Sequence, residues 1–475
     1  MRVLVVGNGM VGLRFVQDVL ELDAHRRCVI TVVGAEKGGA YNRLLLSNVL
    51  AGTSRNGDVQ LADEGWYARN GVTLLSGRAV VDLGRADRVA TLDDGARVPY
   101  DVAVLATGSD AAIPPIPNLM AADELRDGVV AFRTLDDCAE ISARAAHVQR
   151  AVVVGGGLLG IEAARGLAGL GVAVTLLQRT DRLMDVQLDT GASRVLGRAL
   201  AALGVEVVLD AGISEALVGA DGSVAGLRLG DDRSLEAALV VLCCGVRPNA
   251  DLARSSGLTV NRGVVVDDHL RSVDDRDVYA IGECAEHDGV TYGLVAPGWE
   301  QSRIVAEQLT GTPATYRGSA VVTRLKAAGL ELAAMGESSV DDDDDVCFSD
   351  ARRGVYQKVV VREGRLVGAI LLGDTRHAGT LTQLFDRGLP LAEDRAAQLL
   401  MNRAGATAQS VVSPIGLPAT ATVCHCNGVT KSAICSAWQA GARSVPELAA
   451  RTRATTGCGS CRDVVEGLAE WLDGQ

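Results

Sequence analysis

Two copies of one glycine-rich turn, each set between a short apolar strand and a helix-forming stretch, constrain this chain more than any other feature of its 475 residues. In the first copy Arg2–Val6 reads as a strand, Gly7-Asn8-Gly9-Met10-Val11-Gly12 as the turn and Leu13–Leu22 as a helix, with a further strand, Val29–Val33, ending near Glu36. In the second, Ala151–Val154 leads into Gly155-Gly156-Gly157-Leu158-Leu159-Gly160, a helix to Leu170 and the strand Val172–Leu177. The three glycines of such a turn permit a tight bend, close backbone approach to a pyrophosphate and close helix–strand packing. The helix N-terminus then faces the anion. Glu36 stands where a carboxylate can accept from ribose hydroxyls. One such turn is weak evidence, but two in the same strand–turn–helix context predict two dinucleotide sites. The second copy places Gln178 where an acid is usual, and Arg179 follows it. An arginine there can pair with a 2′-phosphate, or it can be a plain surface cation.

Composition excludes several function classes. Aromatic residues make up only 3%, which argues against a stacking surface for single-stranded nucleic acid. A net charge of −13 argues against nucleic acid and anionic membranes as partners. The N-terminus lacks a basic stretch followed by a long apolar one, so it does not read as a secretory signal. The most membrane-like segment, Ala151–Leu177, contains Glu162 and Arg165 and divides into strand, turn and helix, which favours a buried βαβ unit. These readings place the protein in the cytoplasm. In a reducing compartment, clustered cysteines among the eleven present suggest metal rather than disulfides.

From about Tyr316 the pattern changes. Tyr356–Val361 and Leu366–Leu372 read as a hairpin turning at Arg362-Glu363-Gly364-Arg365. The run Asp341–Asp345 lacks the spacing and the glycine of a calcium loop and reads as a solvated loop tip. Residues Ala404 to Thr422 carry no charge and are rich in Ala, Ser, Thr and Pro, as a linker would be.

The last segment holds Cys424-His425-Cys426 and, further on, Cys458-Gly459-Ser460-Cys461. Four thiolates in two tight pairs make one soft site, suited to an iron–sulfur cluster or structural zinc. Zinc ribbons usually use two C-x-x-C pairs, whereas the first pair here is C-x-C. Ser444-Val445-Pro446-Glu447 reads as a capping box, and Cys461 as the start of a last helix, Arg462–Leu472. His425 reads as a bystander and Cys435 as packing.

These motifs carry a family resemblance. Val5-Val6-Gly7-Asn8-Gly9-Met10, Tyr41-Asn42-Arg43-Leu44-Leu45-Leu46-Ser47, Leu105-Ala106-Thr107-Gly108-Ser109, Phe132-Arg133-Thr134-Leu135-Asp136-Asp137, Tyr279–His287 and Tyr292–Pro297 resemble the FAD reductases of the glutathione-reductase structural class. Within that class the chain is similar to the N-terminal part of the NAD(P)H nitrite reductase large subunit and to the electron-transfer subunit of assimilatory nitrate reductase. The cysteine quartet resembles the bacterioferritin-associated-ferredoxin-like [2Fe-2S] domain. The resemblance implies that Thr107 and Gly108 mark a crossover in the FAD domain, that Gly282 and Glu283 form its second motif (Asp is commoner than Glu), that Arg133 lies near the pyrophosphate and that Gly245 closes the NAD(P) domain. It also implies cofactor contacts at Met10, Arg43, Ser47, Val80, Glu162 and Val295, and metal ligation by Cys424, Cys426, Cys458 and Cys461.

The expected fold is α/β: two Rossmann-like domains, an α+β C-terminal reductase domain and a small helical [2Fe-2S] domain. The expected boundaries are 1–115 with 248–315 for FAD, 116–247 for NAD(P), 316–398 for the α+β interface domain, 399–420 for the linker and 421–475 for the cluster domain. No cysteine stands near Asn42–Asn48, where several relatives keep a flavin-side redox cysteine, and the adjacent Cys243 and Cys244 read as buried. The expected activity is therefore hydride transfer from NADPH or NADH to FAD, then single electrons through the cluster to a partner, with no catalytic acid–base residue required. The partner expected from the resemblance is the catalytic subunit of assimilatory nitrate reductase, since no sirohaem-binding part follows before Gln475. The alternatives are a free-standing reductase of a ferredoxin, a rubredoxin or a separate nitrite reductase, and a non-enzymatic iron-handling or redox-sensing module.

Overall fold

The computed structural model describes residues 1–325, 327, 329–338, 345–388, 416–424, 427–456 and 461–474. Its two larger layers are parallel sheets. The first runs Val278–Ala280, Val102–Leu105, Arg2–Val6, Val29–Gly34, Thr73–Ser76 in spatial order. The second runs Val129–Ala131, Leu239–Leu242, Arg150–Val154, Ala173–Leu177, Val205–Val208. The central strands of both are almost wholly apolar and buried, because helices cover both faces of a parallel sheet. In each sheet the strand that carries the glycine turn sits centrally, so the helix behind it, Met10–Leu22 or Leu158–Gly169, opens at the carboxyl end of the sheet. Both helices begin earlier in their turns than helix-forming residues alone suggest, at Met10 and Leu158, with Gly9 and Gly157 as N-caps.

The edge strand Val278–Ala280 pairs in parallel with Val102–Leu105 across a long chain excursion. The first layer is thus assembled from two separated stretches of sequence.

A third sheet is antiparallel, in the order Val322–Leu325, Leu332–Gly336, Arg365–Leu372, Val355–Arg362, Val346–Asp350. Its central hairpin turns through Glu363 (φ 49°) and Gly364 (φ 71°), the paired positive angles that a tight hairpin turn of matching twist requires. Tyr356 reaches out of this sheet and donates its hydroxyl to Asp189 at 2.6 Å, tying it to the helix Thr190–Ala202 of the second layer. Asp189 also caps that helix by accepting from Ala192.

The acidic run corrects one expectation. Residues 341–344 lie outside the described residues, but Asp345 is no solvated loop tip. Its carboxylate is 7% exposed, lies 3.7 Å from the buried Lys358 ammonium and 3.4 Å from Arg362, and accepts from the Val361 amide. Asp345 and Asp189, the latter 3.6 Å from the same ammonium, together offset the cost of burying it.

The C-terminal unit packs Leu417, Ile434, Trp438, Leu448, Val465 and Leu468 into a core of its own. Most of the linker expected at 399–420 lies outside the described residues. Thr422, which composition assigns to the chargeless stretch, begins a strand, Thr422–Cys424. The capping box is half formed: Ser444 accepts from the Glu447 amide, but the Glu447 carboxylate accepts from Arg443, not Ser444. The last helix spans Arg462–Asp473 with Cys461 as its N-cap. Among the described residues no helix is long and apolar enough to cross a membrane.

Candidate functional site

A cavity of about 770 Å³ opens at the carboxyl end of the first sheet. Of the residues singled out from sequence, Gly7, Gly9, Met10, Glu36, Arg43, Val80, Thr107, Gly108, Arg133, Glu162, Gly282, Glu283 and Val295 line it. The glycines divide the work. A Cβ on Gly7 (φ +114°) would stand 2.1 Å from the Ala106 carbonyl oxygen, and one on Gly12 would stand 2.1 Å from that of Gly7. Gly9 meets nothing within 4 Å, so its missing side chain leaves room at the mouth of the helix. Neither that helix nor Val295–Thr310, which also opens on the cavity, has a side-chain N-cap. Their first-turn amides are the orphan donors a pyrophosphate or a flavin carbonyl can use.

Charged residues ring the cavity in two groups. The Tyr41 hydroxyl donates to Glu36 at 2.6 Å, and Arg43 pairs with the same carboxylate while donating to the Arg133 carbonyl at 3.1 Å. Burial pushes the Tyr41 phenol far above its usual range, so it remains a donor. In the second group, Arg133 donates to the Ser109 carbonyl at 3.1 Å and its hydroxyl at 2.7 Å and pairs with Glu283. The Ser109 hydroxyl donates to Glu283 at 2.6 Å. The two groups present carboxylates for ribose or ribityl hydroxyls and guanidiniums for phosphate. Size, glycine cradle and donor set all fit FAD.

The remaining candidates fall elsewhere. Gly12 is packing, as above. Ser47 is buried beneath the cavity lining, and its hydroxyl oxygen has no partner among the described residues. Gly155, Gly157 and Gly160 form the second turn, where Cβ atoms on Gly155 and Gly160 would stand 2.2 Å and 1.8 Å from carbonyl oxygens while Gly157 faces open space. Gly245, with φ +93°, follows the second sheet's Leu239–Leu242 strand. Gln178 is 8% exposed, and its carbonyl accepts the Gly156 amide. Arg179 is exposed. The two turns are joined by Leu158, Leu159 and Glu162, which belong to the second turn's helix and line the first cavity.

Several cavity residues escape sequence reading. Asn249 is tied in by its carbonyl, which accepts from Thr107 at 2.6 Å. Its proximity to Gly245 is the only signal. Arg324 arrives from the third sheet with no motif around it. Among the described residues no cysteine lines the cavity. Burial drives the Cys243 thiol far up and Cys244 up to about 11, so neither is a thiolate at neutral pH.

In the C-terminal unit Cys424 and Cys461 are buried. Cys426, Cys458 and His425 lie outside the described residues. The Thr455 amide donates to the Cys461 sulfur at 3.2 Å, and the Asn427 side-chain amide points at the Cys424 sulfur from 3.7 Å. N–H donors aimed at sulfur, with a helix N-terminus beginning at Cys461, stabilise anionic thiolates. The donor set fits an iron–sulfur cluster.

With the geometry in place, the comparisons with known proteins agree. A model of the pyridine nucleotide-disulphide oxidoreductases matches residues 1–308, the rubredoxin NAD+ reductase C-terminal domain 322–389, and the BFD-like [2Fe-2S] binding domain 422–471. Nitrite reductase [NAD(P)H] of Bacillus subtilis is 37% identical over 99% of this chain and 57% of its own length. The assimilatory nitrate reductase electron transfer subunit of the same organism is 36% identical over 99% of this chain and 60% of its own length. The chain thus spans less than two thirds of these curated relatives. Among solved structures, the covalent putidaredoxin reductase–putidaredoxin complex superposes with a TM-score of 0.76 at 23% identity, covering 85% of this chain and 99% of the other. NADH:rubredoxin oxidoreductase from Clostridium acetobutylicum gives 0.68 at 21% identity, covering 84% and 99%. At such identities these two likenesses show the fold.

Proposed function

The chain belongs to the pyridine nucleotide-disulphide oxidoreductase family, as an NAD(P)H-dependent oxidoreductase with FAD and a [2Fe-2S] domain, and from that premise we propose that it supplies single electrons to a partner protein, the catalytic subunit of assimilatory nitrate reductase. The observation that carries this reading is a flavin cavity with no cysteine among its described lining residues, in a chain that also carries a cysteine quartet. A disulfide reductase needs a dithiol beside the flavin. The cysteine quartet at 424–461 is the exit this reading assigns.

FAD supplies the conversion of a two-electron hydride donor into single-electron steps. The protein's own groups bind and orient. The Gly7–Gly12 turn and its helix receive the pyrophosphate, Glu36 the ribose, and Arg133 with Glu283 the stretch between phosphates and ring. Gly155–Gly160 receive the nicotinamide nucleotide, and Leu158, Leu159 and Glu162 bring it against the flavin cavity. Cys424, Cys426, Cys458 and Cys461 hold the cluster. The division at 1–115 with 248–315, 116–247, 316–398, 399–420 and 421–475 belongs to this reading, as does a cytoplasmic site of action.

A second reading is favoured by the match to the rubredoxin NAD+ reductase C-terminal domain: a reductase of a small redox protein. A deletion strain separates them. Loss of growth on nitrate with growth on nitrite retained supports the first reading. Loss on both points to a nitrite reductase as partner, and growth on both to a small redox protein.

A further inference from the structure

The C-terminal unit is not turned away from the flavin. Among the described residues, Arg453, Gly428 and Val464 approach the rest of the chain, and each stands within eight residues of Cys424 or Cys461. The Arg453 guanidinium donates to the Leu61 carbonyl. Gly428 (φ +60°) lies so close to the flavin unit that a Cβ there would stand 3.3 Å from the Trp299 ring and 3.5 Å from the Arg14 guanidinium. The Val464 side chain lies 3.7 Å from where a Cβ of Gly379 would be, on the helix Ala378–Arg387.

These contacts are wired to the cluster ligands. The Asn427 side-chain amide donates to the Arg453 carbonyl at 2.7 Å and faces the Cys424 sulfur at 3.7 Å. Thr455, two residues beyond Arg453, donates its amide to the Cys461 sulfur. Arg453 itself ends the helix Val445–Thr452 in the left-handed conformation at φ 63°, where glycine is the usual occupant. Burial holds its guanidinium below the usual range, so the side chain gives up hydration to reach Leu61.

On the flavin side, Trp299 belongs to the helix Val295–Thr310, and Val295 and Ala296 at its start line the FAD cavity. Trp299 is therefore roughly 5 Å further along the same helix. Arg14 lies just beyond Met10 and Val11 on the helix that follows the first glycine turn, and it sits 6.0 Å from the Trp299 ring.

We propose that the cysteine end of the C-terminal unit docks on the flavin unit at a seam made by Trp299, Arg14 and the Leu61 carbonyl, with Arg453 as its latch, and that this is the arrangement in which the cluster is loaded with electrons. The inference rests on the electron-transfer reading above. In the step it would serve, a cluster held by Cys424, Cys426, Cys458 and Cys461 would accept one electron from reduced FAD, one Fe(III) becoming Fe(II) and the flavin's proton going to solvent. The second electron follows once the acceptor protein has taken the first. Because the cysteine end faces inward, the acceptor protein can reach the cluster only after the latch opens.

The test uses the full-length holoprotein without oxygen. Wild type, Arg453→Gly, Arg453→Lys and Trp299→Ala are compared by FAD and iron content, by hydrogen exchange at residues 427–430 and 453–456, and by stopped-flow bleaching of flavin and cluster after mixing with NADPH. Loss of one charge-assisted hydrogen bond lowers the docking equilibrium about tenfold. Arg453→Gly should keep its iron and its rate of flavin reduction, exchange about tenfold faster at the seam and reduce its cluster more slowly, with Arg453→Lys recovering part of the loss. Trp299→Ala lies outside the cluster unit, so it decides the matter if Arg453→Gly loses iron. Wild-type exchange and wild-type cluster reduction in Trp299→Ala, and in Arg453→Gly where that variant holds iron, overturn the seam. A wild-type protein without FAD or iron overturns the functional reading instead, and seam protection in that protein is still read by exchange.

Discussion

Gln178 turns its side chain inward, accepting the Gly156 amide at 2.7 Å and donating to the Thr180 hydroxyl at 2.7 Å. The residue that follows the strand Ala173–Leu177 is therefore spent on holding the glycine turn. Arg179, exposed beside it, is the cation that the NADPH reading places at the outer edge of an adenosine ribose. On that reading a 2′-phosphate would meet the Arg179 guanidinium, with Gln178 in place of an acid at the strand end. Arg179→Ala should lower kcat/KM for NADPH by roughly tenfold or more, the size of one charge-assisted contact, while leaving NADH nearly unchanged. Equal losses with both donors would falsify this assignment.

Gly9 and Gly12 are both turn glycines, yet their substitution should fail in different ways. A Cβ on Gly12 collides with the Gly7 carbonyl at 2.1 Å, so Gly12→Ala should destabilise the apoprotein, by about 1–3 kcal/mol as overpacking does. Gly9 has extended backbone at φ −81° and open space around it, so Gly9→Ala should fold normally but hold FAD less tightly. Thermal melts of the two apoproteins beside FAD titrations separate the effects. An apoprotein of Gly9→Ala that melts as early as that of Gly12→Ala contradicts the division of roles.

The nucleotide-binding framework was legible because its signals are local. A buried parallel strand, a glycine turn and a helix lie within about 20 residues, and the glycines answer either to one short contact, as Gly7 and Gly12 do, or to open space at the helix mouth, as Gly9 does. What escaped reading arrives through the sheet order. Arg324 enters the cavity from the third sheet with no nearby motif to announce it, whereas Val278–Ala280, which completes the first sheet, is announced only by the Tyr279–His287 resemblance. The acidic run misled because composition averages over neighbours, whereas Asp345 is set apart by one buried lysine. The seam at Arg453, Gly428 and Trp299 joins residues from distant parts of the chain, and nothing in their types suggests it.

The state of the thiols fixes how many electrons the protein can hold. Cys243 and Cys244 are protonated at neutral pH and stand away from the cavity lining. Anaerobic titration with dithionite should therefore consume about three electrons per chain, two for FAD and one for a [2Fe-2S] cluster. A redox-active dithiol would add two more. Alkylation with iodoacetamide near pH 7.5 should spare Cys244, whose thiol is pushed up to about 11, and should begin only as the pH approaches that value. Uptake of about five electrons, or rapid labelling of Cys244 at neutral pH, would restore the disulfide-reductase reading that the cavity argues against.

The cluster should be needed for the exit of electrons and not for their entry. Cys461 is buried in the small unit, whose core is separate from those of the nucleotide-binding layers. The groups that would hold FAD and the nicotinamide nucleotide come from residues before 325. Cys461→Ser replaces a thiolate by a hydroxyl that is a poor ligand for iron. The variant should lose iron and labile sulfide yet retain FAD. Stopped-flow bleaching of its flavin by NADPH should match wild type, because no residue of the nicotinamide site has changed. On the relay reading, transfer to the natural partner should collapse, since the cluster is the carrier it places beyond the flavin. Zinc in place of iron in the wild-type protein, or full-rate reduction of the partner by Cys461→Ser, would mean that electrons leave directly from FAD and that the quartet serves only to hold the small unit together.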